Sequence, residues 1–248
     1  YICFFAVSRF NLPPVVGVIL AMILCTMLGI IVERLAYKPL RQAPSLAVLI
    51  TAIGVSYFLQ NGAQLLWGSN QKMFPAFLSG DGISLFRGQI NISNATIVTI
   101  IASVIIMLVL TFFTNKTKMG KAMRAVSEDQ GAARLMGVDV NQTISLTFAI
   151  GSALAALASV FMMLDGQKFE PTMGSLPGIK AFTAAVIGGI GSIPGAMLGG
   201  ILLGIVECIS YKITAIAPYT DAIEFSVLII ILLVRPTGFL GKKRREKV

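Results

Sequence analysis

The sequence has 248 residues, of which 56% are apolar and only 12% charged, with 20 Lys+Arg against 11 Asp+Glu and no histidine. An ordinary soluble domain is about 45–50% apolar and about 25% charged, so the composition argues against a soluble globular enzyme and excludes disorder, which needs low hydrophobicity. The missing histidine removes His metal ligands, a His general base and a Ser-His-Asp triad, and a net charge of +9 in so apolar a chain points to charge placement around a membrane rather than to nucleic acid.

A membrane span needs about 20 mostly apolar residues. Tyr1–Val7 reads as the tail of a further helix, and Tyr1 in place of Met suggests that the chain begins inside a longer protein. Pro13–Val32, Ser45–Trp67, Asn94–Phe113 and Ile144–Leu164 carry no charge. Ala181–Val206 also carries none, but Gly and Pro interrupt it, and a last apolar run is Phe225–Val234. The runs are continuous rather than alternating, which predicts helices and not barrel strands. The expected fold is an all-α integral membrane protein. It is a polytopic helical bundle with a Gly/Pro-broken helix pair, one transmembrane domain over residues 1–248 with a loop over 114–143. Cys3, Cys25 and Cys208 are far apart and form no CxxC, so they read as packing residues and no metal site is expected.

The basic residues are unevenly placed. Fourteen of the 20 fall in three regions: 33–44, 114–143 and the tail from Arg235 onward, which includes Lys242, Lys243, Arg244, Arg245 and Lys247. Arg9, Lys72, Arg87, Lys168, Lys180 and Lys212 fall elsewhere. The positive-inside rule puts the three basic regions, and with them the C-terminus, in the cytoplasm. Alternation then requires Ala181–Val206 to begin and end outside. It can do so as two pieces broken near Ser192-Ile193-Pro194-Gly195, either a re-entrant half-helix and a returning helix or two thin full spans.

Gly188-Gly189-Ile190-Gly191-Ser192-Ile193-Pro194-Gly195 is the oddest stretch. Pro194 and the glycines weaken a helix. Non-helical backbone at membrane depth is tolerated where protein covers it or where it lines a wet cavity. Gly188, Gly189, Gly191, Ser192, Pro194 and Gly195 are therefore candidates to line a solute pathway, and GxxxG pairs such as Gly191/Gly195 and Gly195/Gly199 equally suit close helix packing. Thr51 and Gly54 join the pathway candidates from the second long span, where Gln60 and Gln64 lie on one face and suit interhelical hydrogen bonding. Glu207 and Glu224 fall near the ends of spans and read as interfacial or helix-pairing charges.

Within the loop 114–143, Ser127 with Gln130 three positions on has the form of a capping box, with Glu128 and Asp129 in the first turn. Ala132, Ala133, Leu135 and Met136 favour helix, and Gly137 is placed to end it. A helix this short is marginal alone, so it needs the rest of this chain or a partner to pack on.

Gly131-Ala132-Ala133-Arg134-Leu135-Met136-Gly137 resembles the EAA---G loop of ABC importer permeases, with Gly in place of Glu. The longer run Gly120–Asp129, then Ala133–Val138, Thr147–Gly151, Lys180–Phe182, Gly188–Ala196 and Val234–Lys242, together with Glu33-Arg34, Pro39-Leu40-Arg41 and Ile50–Gly54, resembles branched-chain amino-acid permeases of the LivH/LivM type, nearer the LivH-like half. The resemblance implies a permease subunit that pairs with a second, related permease in a bacterial-type inner membrane. Two ATP-binding subunits using ATP and Mg would drive it, and an external solute-binding protein would deliver leucine, isoleucine or valine. Ser127, Glu128, Ala132, Ala133, Leu135, Met136 and Gly137 would form the coupling helix to the ATPase. It also implies a further membrane segment before Tyr1. No G-x-x-x-x-G-K-[ST] pattern occurs, so the chain is expected to bind no cofactor and to hydrolyse no ATP itself. The same architecture could carry a sugar, an amide or urea, and a self-sufficient secondary transporter is the alternative of another class.

Overall fold

The computed structural model describes residues 1–41, 43–77, 82–85, 90–214 and 217–241. Arg87 and the basic tail Lys242, Lys243, Arg244, Arg245 and Lys247 lie outside the described residues. Helices dominate, and among the described residues six are long and apolar enough to cross a membrane by length and composition. The chain divides into two compact units.

The first unit takes in residues 1–104 and 113–172. It opens with α1 (Ile2–Ser8) and α2 (Pro14–Val32). Pro14 sits at the first position of α2, where its missing N–H costs nothing. Gly17 brings α2 close to α1, since a methyl there would lie 3.1 Å from Val7 and 3.3 Å from Cys3 Sγ. α2 runs on through a π-helical turn, Glu33–Tyr37, and a 3-10 turn, Lys38–Leu40, which carries Pro39. α3 (Ser45–Trp67) starts after Pro44 and stops at Gly68, whose φ of 81° favours glycine. α4 (Asn94–Lys116) is capped by Ser93, and α5 (Lys118–Glu128), α6 (Gln130–Leu135) and α7 (Val140–Met163) follow. At 23 and 24 residues, α4 and α7 are each about 35 Å long, enough for about 30 Å of hydrocarbon. Gly29 lets α2 pack closely on α7, because a larger residue would run into Ser152.

Short strands close one end of this unit. β1 (Lys72–Met73) pairs antiparallel with β4 (Lys168–Phe169), and β2 (Ile83–Leu85) with β3 (Ile90–Ile92). Around β1 and β4, Tyr1 stacks on Trp67 at 4.8 Å, and Phe4 and Phe74 meet Phe169 edge-on. Lys72 Nζ lies 5.0 Å from the Phe5 ring centre. Aromatic rings with a cation among them are typical of a membrane–water interface.

The second unit takes in residues 105–112 and 173–248. It contains α8 (Ser175–Gly188), α9 (Ile193–Lys212), a 3-10 turn at Ala217–Tyr219 and α10 (Thr220–Val234). Ala184, Ile187 and Leu203 form its buried core, with Leu228 and Ile231 packed against them. The last span begins at Thr220 rather than at Phe225, and the interrupted stretch extends from Ser175 to Lys212. In each case the helix continues through charged residues (Lys180, Glu207, Asp221 and Glu224) because the three carboxylates share the Lys180 ammonium, as described below. At 14 residues α8 is about 21 Å long, a short leg paired with the full-length α9.

Candidate functional site

The loop expected to carry coupling folds as two helices. Asp129 breaks them apart with an extended backbone and caps the second: its Oδ1 accepts from Gly131 N at 2.8 Å and Ala132 N at 3.0 Å. The expected capping box at Ser127 is therefore corrected. Ser127 and Glu128 end α5, and Ser127 Oγ donates to the Arg124 carbonyl at 2.8 Å. Gly137 ends α6 as expected. Its φ is +80°, its N–H donates to Arg134 O and that of Val138 to Ala133 O, both at 3.0 Å, which is a Schellman turn.

These two ends hold α6 in a defined place. Ala133 is buried with Val126 and Val140, with Val138 and Ile144 packed against them, so the short helix packs on α5 and α7 of its own chain. Ala132 is exposed, and Leu135 and Met136 are 91% and 84% exposed. Two large apolar side chains on a rigidly capped turn have no contact that would keep them from water, which marks a surface built to be covered.

Beside α6 lies a buried polar cluster that sequence reasoning missed. Glu33 has no exposed surface. One of its oxygens pairs with Arg41, and the other accepts from Ser145 Oγ at 2.6 Å. Arg41 also donates to Asn141 Oδ1. The cluster ties the π-helical end of α2 to the first turns of α7. A buried carboxylate is tolerated when it is paired and hydrogen-bonded in this way.

In the second unit the break falls at Gly189–Ser192, slightly before the expected position. Gly189 and Gly191 have φ of 104° and 93°, which a side chain would strain. Pro194 sits in the first turn of α9 and Ser192 caps that helix, accepting from Gly195 N at 3.2 Å. So Pro194 starts a helix where it was expected to break one. Gly188, Gly189 and Gly195 are buried, whereas Gly191 is exposed. A methyl at Gly188 would overlap the Gly195 carbonyl, and one at Gly199 the Ala184 carbonyl, so these glycines let α8 and α9 meet backbone to backbone. The carbonyls at the end of α8 are satisfied from an unexpected source. Phe239 N donates to Ile187 O and Leu240 N to Gly188 O, both at 2.9 Å. The segment after α10 thus seals the break, and the Gly238 and Gly241 punctuation was the available signal.

At the other end of α8, Lys180 Nζ contacts Glu207 Oε1 at 2.8 Å, Asp221 Oδ1 at 3.1 Å and Glu224 Oε1 at 3.2 Å. One ammonium has three protons to donate, and each meets a carboxylate. The three acids come from α9 and α10, so Lys180 pins α8 to both. This matches the helix-pairing expectation for Glu207 and Glu224. Thr51 and Gly54 lie on α3, where Thr51 Oγ1 donates to its own helix at Ala47 O, 2.8 Å, and a methyl on Gly54 would meet nothing within 4 Å. Gln60 donates to Ser56 Oγ at 3.2 Å along α3.

The family described as branched-chain amino acid transport system / permease component matches residues 1–232. The chain belongs to this family. It is 42% identical to the high-affinity branched-chain amino acid transport system permease protein BraD of Pseudomonas aeruginosa, over all of this chain and 84% of that protein. It is 43% identical to the LivH permease protein of Salmonella typhimurium, over 94% of this chain and 76% of that one. The fructose import permease protein FrcC of Rhizobium meliloti is 25% identical over 90% of this chain. No solved structure matches. These relatives are transport permeases, not enzymes, and with six apolar helices the chain is a multi-pass membrane protein.

Proposed function

We propose that this chain is the membrane-spanning permease subunit of an ABC importer for branched-chain amino acids. It forms the pathway with a second, related permease in an inner membrane of bacterial type, and its C-terminus and the loop 114–143 face the cytoplasm. ATP and Mg are used by two separate ATP-binding subunits, and an external binding protein delivers the solute. The observation that carries this reading is α6: a helix capped at both ends, buried only through Ala133, that presents Leu135 and Met136 outward. Ala132, Ala133, Leu135, Met136 and Gly137 form the coupling element, while Ser127 and Glu128 belong to the helix leading to it.

A pathway role is assigned to Thr51 and Gly54 on α3 in the first unit and, separately, to the turn Gly188-Gly189-Ile190-Gly191-Ser192 with Pro194 and Gly195 in the second. Within that turn Gly191 is the exposed glycine, and the buried Gly188, Gly189 and Gly195 hold the turn's shape. The test is reconstitution in proteoliposomes with the second permease, the ATPases and the binding protein. Uptake of radiolabelled leucine that requires ATP and every partner supports the reading. Uptake by this chain alone on an ion gradient, or uptake of a sugar or amide in place of leucine, overturns it.

A further inference from the structure

Next to α6 the residues Lys38, Pro39, Arg41, Gln130, Arg134 and Asn141 line an open cleft. Three of them are cations and none is an acid. Arg41 is committed to Glu33 and Asn141. Glu33 is wholly buried and also accepts from Ser145, so it offers no charge to the cleft. Lys38 and Arg134 are exposed, and among the described residues no ion pair holds either. The acids that precede α6 and α7 cap these helices: Asp129 for α6 and Asp139, at 2.9 Å from Asn141 N, for α7. The cleft therefore presents Lys38 and Arg134, two cations outside any ion pair among the described residues, on a fixed frame.

The frame is rigid for stated reasons. Arg41 is pinned by a buried carboxylate, and α6 is closed by Asp129 at one end and the Gly137 turn at the other. Arg134 directly precedes the exposed Leu135 and Met136. An apolar contact rimmed by charge has the anatomy of a protein–protein interface. A helix lying on lipid needs a continuous apolar stripe, and α6, Gln130–Leu135, has none.

We propose that this cleft receives an acidic segment, Asp or Glu side chains, of the ATP-hydrolysing subunit. The segment sits beside Leu135 and Met136 and meets Lys38 and Arg134. The proposal rests on the importer reading above and adds the chemistry of the partner surface. Charge complementarity of this kind fixes the register of docking and raises the association rate.

The experiment uses the assembled transporter and a water-soluble carbodiimide, which joins an amine to a carboxylate in contact. Mass spectrometry is expected to find Lys38 joined to an Asp or Glu of the ATPase, and the product to vanish in Lys38→Arg, which has no amine to react. The double reversal Lys38→Glu/Arg134→Glu is expected to weaken ATPase retention about tenfold or more at low salt. Changing the crosslinked ATPase acid to Lys is expected to restore it. If the ATPase co-purifies and drives uptake while Lys38 joins no ATPase acid and the reversal leaves assembly intact, the cleft proposal falls and the importer reading stands. If the reversal instead strips anionic phospholipid from an intact assembly, the cleft is a lipid site and the proposal falls. If no ATPase assembles with the unaltered chain, both readings fall.

Discussion

The Lys180 ammonium lies 3.2 Å from Glu224 Oε1, on a side chain that is only 1% exposed. Removing one partner of a buried pair leaves a charge that neither water nor protein compensates. Lys180→Met is therefore expected to lower the stability of the purified protein by about 3 kcal/mol. Adding Glu224→Gln should recover part of that loss, as seen in the thermal midpoint in detergent. If Lys180→Met unfolds at the unaltered temperature, the cluster contributes no stability.

The two GxxxG pairs of α9, Gly195/Gly199 and Gly200/Gly204, should respond differently to substitution. A methyl at Gly199 would strike the Ala184 carbonyl, whereas one at Gly204 would meet nothing within 4 Å. Gly199→Ala should cost about 1–3 kcal/mol through forced separation of α8 and α9, and Gly204→Ala should be neutral or slightly stabilising. Equal effects in a denaturation series would contradict the packing described for α8 and α9.

The cap of α6 is Asp129 and not Ser127. Asp129→Ala should cost about 1 kcal/mol and Gly137→Ala about 1 kcal/mol from its positive φ, while Ser127→Ala should change little. All three variants can be ranked by thermal unfolding and by ATP-driven uptake. A larger loss at Ser127 than at Asp129 would restore the capping box.

Leu135 and Met136 are exposed, so Leu135→Ser/Met136→Ser should leave stability within about 0.5 kcal/mol. The same pair of changes should reduce co-purification of the ATPase. Unaltered assembly would show that the exposed tip is not the contact.

Glu33→Ala should be among the most damaging single changes. It leaves Arg41 without its carboxylate and Ser145 Oγ without its acceptor. The expected cost is about 3 kcal/mol, with Glu33→Gln less severe because the amide oxygen can still accept. Circular dichroism on heating provides the measurement, and a mild effect of Glu33→Ala would show that the cluster adapts.

Where local pattern decides structure, the sequence was readable. α2, α3, α4 and α7 coincide with uncharged runs because a lipid-spanning helix is defined by composition along one short window. Composition alone starts α8 and α10 too late, because Lys180 and Glu224 read as charges that hydrocarbon rejects. Their neutralisation depends on partners 27 and 44 positions away, and no window contains both. The same holds for Glu33 and Ser145, 112 positions apart. At α6, Ser127 and Asp129 are both good caps and lie two residues apart, so pattern alone could not choose between them. The extended backbone at Asp129 decides it. Gly137 was legible because only a residue that tolerates positive φ can close a Schellman turn. Among the proposed pathway residues, the glycines of the turn were visible as a break, but which of them are buried depends on packing between helices that the one-dimensional pattern does not contain.

The hydrogen bonds from Phe239 and Leu240 to the end of α8 have a consequence for how the protein is made. The carbonyls of Ile187 and Gly188 emerge from the ribosome about 50 residues before the amides that satisfy them. At about 5–20 residues per second, the hairpin of α8 and α9 spends several seconds in the insertion machinery with its tip unsealed. During biogenesis that tip depends on water or on the translocase for its hydrogen bonds, and a nascent chain stalled before Phe239 would present quality-control proteases with an open loop.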